Sequence, residues 1–197
     1  MSVSVKEKDY SAIFTETLAA SIQVKQRVLA ETVPVLNEIV NLLRRSLAQG
    51  NKIMLCGNGG SAADSQHIAA ELVSKFNSDR RALPAIALTT DTSILTSIAN
   101  DYGYDLVFAR QIEALGQAGD VVIGLSTSGH SPNILKAMSM AKEKGLSTVA
   151  LTGMSGGKLK DCVDICYRVP SDSTPRIQEV HITVAHAFCD ILEKELG

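Results

Sequence analysis

The chain has no tryptophan, and aromatic residues make up only 4% of its 197 positions. A surface that stacks nucleic-acid bases on aromatic faces is therefore not expected. Neither sign of charge dominates: the formal net charge is −2, which argues against a nucleic-acid partner. No apolar run approaches the roughly 18–20 residues that a membrane span needs. The first twelve residues, MSVSVKEKDYSA, lack the apolar centre of a secretory leader, so a cytoplasmic protein is the expectation. Cysteine is scarce. Cys56, Cys162, Cys166 and Cys189 form no CxxC pair and are expected as buried, reduced thiols. Cys162 and Cys166 lack the second Cys/His pair that would complete a structural zinc site.

What remains is an ordinary globular composition, 45% hydrophobic and 20% charged, at a length that favours one domain with a substantial core. Residues 9–30 carry an amphipathic helical pattern that includes Ile13, Leu18, Ile22 and Leu29. Thr32 reads as the N-cap of a second helix, with Pro34 in its first turn and Gly50 at its end. Two helices ahead of the first strand are unusual for an open α/β sheet, so residues 1–50 are expected to cover a sheet edge or to pack on another subunit. From residue 51 onwards short apolar runs alternate with helical patterns. The strand candidates are 53–56, 85–88, 121–125, 148–151 and 165–169. The helical patterns lie near 61–76, 92–99, 105–117, 131–144 and 155–162, with a last helix after Pro175. This alternation predicts an α/β fold with a five-stranded parallel sheet and helices on both faces.

Ligands of such sheets bind beyond the carboxyl ends of the strands. After the first strand the chain reads Gly57-Asn58-Gly59-Gly60-Ser61, with Ser61 as the expected N-cap of an alanine-rich helix and Asp64 in its first turn. A strand, a glycine turn and a helix aim backbone N–H groups at one point, which suits an anion. After the third strand comes Ser126-Thr127-Ser128-Gly129-His130-Ser131, with Ser131 as N-cap and Pro132 as the first helical residue. These serines would serve as caps in any case, but the run is denser than a cap requires, and phosphate binding is expected here. The glycine loop also fits G-x-G-x-x-A, yet Asp91, the nearest acidic candidate, lies too far along the chain for a dinucleotide fold. Gly-Lys-Ser/Thr is missing, which excludes a P-loop.

His67 and Glu71 sit at i and i+4 on one helix face, just past the glycine loop. On the last helix Gln178, Ile182 and His186 follow one i±4 ridge, so Gln178 and His186 share a direction while about 12 Å apart along the axis. His181 is off that ridge and reads as structural or interfacial. His130 either touches the ligand or is a solvated loop residue. Asn100 and Asp101 either end a helix or bond sugar hydroxyls.

Together GNGGSAADSQHIAAEL, TSIANDYGYD, STSGHSPNIL and RIQEVHITVAH resemble the phosphoheptose isomerases of the sugar-isomerase (SIS) fold. The likeness runs over nearly the whole chain. It implies a three-layer sandwich, a single SIS domain over 1–197 with a helical extension over 1–50, and a cytoplasmic homotetramer whose sites form where subunits meet. The implied reaction converts sedoheptulose 7-phosphate into D-glycero-D-manno-heptose 7-phosphate, the first step towards the activated heptose of bacterial surface polysaccharide. By the same resemblance one zinc per subunit is held by His67, Glu71, Gln178 and His186, and Glu71 and His186 are the acid/base pair. Substrate contacts fall on Asn58, Gly59, Gly60, Ser61, Glu71, Asn100, Asp101, Ser126, Thr127, Ser128, Ser131 and Gln178. Two alternatives stand beside this reading. One is a non-catalytic relative that binds the bacterial replication initiator, in which Glu71 and His186 have no counterparts. The other is an isomerase for a different sugar phosphate. Aldose–ketose isomerisation needs a base that takes and returns a proton and an electrophile on two adjacent oxygens, and this residue set offers both.

Overall fold

The computed structural model describes residues 7–197. The start of the 1–50 extension, and half of the segment read for a leader, lie outside the described residues. Five parallel strands, β1 (Ile53–Gly57), β2 (Ala85–Ala87), β3 (Val121–Ser126), β4 (Ser147–Thr152) and β5 (Ile165–Arg168), form one sheet in the order β2-β1-β3-β4-β5. The central register pairs Ile53 with Val121 and Val121 with Ser147. Among the described residues seven α-helices surround it: α1 (Ser11–Glu31), α2 (Val33–Ala48), α3 (Gly60–Val73), α4 (Thr92–Tyr102), α5 (Ala109–Leu115), α6 (Pro132–Glu143) and α7 (Thr174–Leu196). Strand alternation divides the core. Ile53, Leu55, Val121, Ile123 and Val149 pack with α2, α3 and α7. Met54, Cys56, Val122 and Ala150 face the other way, against α5 and α6. The strand order reverses between β1 and β3, and the glycine and serine loops open from those two strands, as expected of a switch-point site.

The second helix is thus part of the core layer on one face: Ile39, Leu43 and Leu47 are buried against the sheet and α7. The first helix differs, for among its 21 residues only Val28 is buried. Its Ile13, Phe14, Leu18, Ile22 and Leu29 are all more than half exposed.

Several local expectations are corrected. The segment 155–162 forms no α-helix, only a 3₁₀ turn at Leu159–Asp161, because Gly156 and Gly157 both take positive φ. The third helix begins at Gly60, so Gly59 occupies the N-cap position and Ser61 lies buried inside the first turn. It ends at Val73 rather than 76, where the Arg80 guanidinium takes up its last carbonyls. The 105–117 pattern splits into a 3₁₀ turn and α5. Thr32 flanks α2 without capping it, since its hydroxyl donates back to the Val28 carbonyl. Only Cys56 and Cys189 are buried; Cys166 is half-buried and Cys162 exposed, and all four are free. Burial pushes the Cys56 thiol up to about 12, so it behaves as an apolar core side chain. No helix among the described residues is long and apolar enough to cross a membrane.

Candidate active site

The serine loop is stapled on both sides. Gly153 N–H donates to the Thr127 carbonyl at 3.0 Å, and Leu159 N–H donates to the Gly129 carbonyl at 3.1 Å. Gly129 has φ +67°, and a Cβ there would fall 2.2 Å from the Gly156 carbonyl oxygen. No other residue fits that turn. Ser131 stands at the N-cap of α6 but makes no cap bond. Its hydroxyl instead pairs with the Ser126 hydroxyl at 2.9 Å. The first N–H groups of α6 are therefore left uncapped by that side chain, at the positive end of a 12-residue helix. That is an anion cradle with hydroxyls at its rim. A cavity of about 330 Å³ adjoins it, lined in part by Thr127, Ser128, His130, Gly153 and Ser171.

The glycine loop is different in kind. Ser61 N–H donates to the Asn58 carbonyl, and the N–H groups of Ala62 and Ala63 turn back on Gly59. Those donors are spent internally, so the glycine loop offers an anion fewer free N–H groups than expected. What the glycine loop offers is position. The side chains of Asn58 and Asn133 exchange two hydrogen bonds, at 2.9 and 2.8 Å, and Tyr104 donates to the Asn58 carboxamide oxygen at 3.3 Å. This amide pair locks the loop after β1 to the start of α6. Asn133 and Tyr104 lie within the quoted motifs STSGHSPNIL and TSIANDYGYD, but sequence reading gave neither a role, because their partner Asn58 comes from a distant loop.

Beyond the loops, α3 and α7 lie side by side. His67 Nε2 is 3.0 Å from Glu71 Oε1 and 3.4 Å from His186 Nε2. The His186 ring also meets Phe76, with centroids 5.4 Å apart. Gln178 lies further towards the start of α3, where a Cβ on Gly60 would come within 2.6 Å of its Nε2. Only glycine lets that amide approach so closely. Asp64 completes the face at i−3 from His67. One of its carboxylate oxygens is buried without a partner. Burial raises its carboxyl above the ordinary value, and His67 and then His186 pull it back. The sequence held the signal for Asp64, since positions 60, 64, 67 and 71 follow one helical stripe, but sequence reading places it in the first turn as a partner of the helix dipole; with α3 starting at Gly60 it lies beyond that turn. His181, by contrast, is fully buried. Its Nε2 faces the Thr152 carbonyl at 3.2 Å, so its role is structural.

His67, Glu71 and His186 are brought together, while Gln178 lies by Gly60. Asn100 and Asp101 are exposed at the end of α4, where the Asn100 amide donates to Asp101 at 2.7 Å. Among the described residues no three His, Cys, Asp or Glu side chains close around a single point as a formed cation cluster. The 3.4 Å contact between the two imidazoles equals the edge of a tetrahedron with bonds of about 2.0–2.1 Å, about 3.3–3.4 Å, while the 3.0 Å contact between His67 and Glu71 is a hydrogen-bond distance. Two imidazoles, a carboxylate and an amide are donors of the kind that zinc takes. By residue type the donor set fits the ion, and three of the four, His67, Glu71 and His186, are in contact.

A model of the SIS domain matches residues 17–153. The chain is 58% identical to the phosphoheptose isomerase of Roseiflexus sp. (strain RS-1), over 92% of each. It is 53% identical to that of Geobacter sulfurreducens, over 92% of this chain and 96% of the relative. Its fold superposes on a phosphoheptose isomerase from Neisseria gonorrhoeae with a TM-score of 0.89 and 43% identity, covering 94% of this chain and all of the other. The corresponding enzyme from Francisella tularensis gives 0.91 and 36%, over 95% of this chain and all of the other. A family model over most of the chain and relatives matched over almost their whole length lead to one assignment: the chain belongs to the SIS-domain family and, within it, to the phosphoheptose isomerases.

Proposed function

We propose that this protein interconverts sedoheptulose 7-phosphate and D-glycero-D-manno-heptose 7-phosphate, with Glu71 as the proton-carrying base and His186 as its partner. The observation that carries this reading is the junction of α3 and α7, where His67 touches both Glu71 and His186. A proton leaves C1 of the ketose, its electron pair makes the C1–C2 double bond, and the C2 oxygen takes up a proton to give the enediol. Return of the proton to C2 and loss of the proton on O1 leave the aldehyde at C1. Glu71 carries the proton between the two carbons, and His186 works on the other face of the enediol. The phosphate is held by Ser126, Thr127, Ser128, Ser131 and the α6 terminus. Asn58, Gly59, Gly60, Ser61, Asn100, Asp101 and Gln178 surround the sugar chain.

Zinc, held by His67, Glu71 and His186 with Gln178 as fourth donor, would polarise the two substrate oxygens. The apolar face of α1 supports a homotetramer in which other subunits cover it, with the site completed between chains. The enzyme would work in the cytoplasm, at the entry to activated-heptose synthesis.

Glu71→Gln keeps size and most hydrogen bonds but removes the basic carboxylate. Turnover should fall at least about 10²-fold while sugar phosphate still binds, because proton transfer acts in the transition state. Wild-type turnover by this variant would refute the assignment. A panel of five-, six- and seven-carbon ketose phosphates decides the substrate.

A further inference from the structure

The loop that follows α3 is held by a buried ion pair that neither the proton transfer nor the phosphate cradle uses. Arg80 Nε lies 3.2 Å from Glu193 Oε2, with side chains only 2% and 6% exposed. The Nε approach is an ion pair without a hydrogen bond, and the two Nη groups of Arg80 donate to backbone. Its Nη2 donates to the Glu71 carbonyl at 2.8 Å, and its Nη1 donates to the Leu72 carbonyl at 2.9 Å. Those are the open carbonyls at the end of α3. Glu193, near the end of α7, accepts the backbone N–H groups of Phe76, Asn77 and Ser78, each at 2.8 Å. Asn77 adds a side-chain bond to Asp190, also on α7, at 3.0 Å. Four residues separate Glu71 from Phe76, whose ring lies on His186.

We propose that the Arg80–Glu193 pair is a positioning device for the isomerase reaction: it fastens the end of α3 to α7, and through Phe76 fixes the His186 imidazole against His67 and Glu71. This rests on the assignment of Glu71 and His186 above. A buried ion pair is a weak source of stability compared with apolar packing of the same volume, so its use here lies in the groups it grips. Arg80 holds the backbone of the base itself. Glu193 holds the residue that backs the partner imidazole. Burial alone would raise the Glu193 carboxyl, but the three N–H groups and the Arg80 guanidinium outweigh it and hold it below its ordinary value. The clasp stays charged throughout the neutral range. None of its residues reaches the serine loop, so it acts on the reacting centre and leaves the phosphate contacts alone.

Three variants test this with sedoheptulose 7-phosphate as substrate: Glu193→Gln, Arg80→Lys and Phe76→Leu. Each should lose about 10-fold to 10²-fold in kcat, the effect of a small misplacement of reacting groups, with KM within about twofold. The His186 ring protons should shift in the NMR spectrum of each variant. Phe76→Leu leaves the ion pair whole, so it decides the matter if Glu193→Gln does not fold. Wild-type kcat in Phe76→Leu and Arg80→Lys, or a rise in KM alone, overturns the proposal. Glu71→Gln and His186→Asn run alongside. If those two retain full activity, the catalytic assignment itself has failed. If they are inactive and the clasp variants are not, only the positioning role has failed.

Discussion

His67 Nε2 and His186 Nε2 lie 3.4 Å apart, although 119 positions separate the two residues in the chain. Two ring nitrogens at that distance cannot both present lone pairs. Either one carries a proton or a cation lies between them. Glu71 lies 3.0 Å from the same His67 nitrogen and offers it a carboxylate oxygen as acceptor. The contact exists because α3 and α7 pack on one face of the sheet, burying Ile68 and Leu72 with Val184 and Phe188. Apolar packing thus sets the distance between the polar groups.

The metal is tested directly. Metal analysis of the purified protein should find about one zinc per chain, and His67→Ala should lower that occupancy at least about tenfold. Chelation should abolish activity and zinc should restore it. Full activity in metal-free protein would remove the ion from the reaction.

Gly60 is the place where a single methyl group reaches the site. In Gly60→Ala the new Cβ would fall 2.6 Å from Gln178 Nε2, the free end of a flexible side chain. The side chain can swing away, so the fold should hold, and alanine is the better helix former. The melting temperature should not fall, while kcat/KM drops about tenfold or more. Unchanged kinetics would show that Gln178 does not act from the position it holds here.

The exposed stripe on α1 predicts association. Phe14, Leu18 and Ile22 are 67%, 63% and 56% exposed at a spacing of four residues, one face of the helix. A row of that kind marks a protein interface. Sedimentation of the wild type should give a species larger than the monomer. Leu18→Glu together with Ile22→Glu should shift it towards monomer and reduce activity. A fully active wild-type monomer would dismiss the interface.

The architecture was legible because its signals are local. Short apolar runs alternating with helical patterns marked all five strands, each within one residue of its final bounds. Ser131-Pro132 marked the start of α6. Pairwise geometry was not legible. Nothing in the sequence says that Ser131 would turn from its own helix to Ser126, or that Asn58 would lock to Asn133. Both depend on β1 and β3 being neighbours, a property of strand order. The apparent helix at 155–162 failed because two adjacent glycines outweighed its periodicity. Nothing in the sequence singled out Arg80. Its burial follows from a partner, Glu193, more than a hundred residues away.

His181 should make the protein acid-sensitive. It is fully buried; burial pushes its imidazole down to about 4 from an ordinary value of 6.5, and the Thr152 carbonyl opposes only part of that. Its Nδ1 has no partner, so the neutral ring keeps its proton on Nε2. Below about pH 6.5 the unfolded chain takes up a proton that the folded state refuses until about pH 4. Stability must then fall as the pH falls through that window, and this contribution levels off beneath it. At about 1.4 kcal/mol per pH unit, the loss comes to about 3 kcal/mol. His181→Gln keeps an N–H for the Thr152 carbonyl and cannot titrate. Urea unfolding at matched protein concentration, at several pH values between about 7 and 4, should show the wild type losing about 3 kcal/mol more than the variant. Parallel curves for the two proteins would mean that His181 is protonated in the folded state.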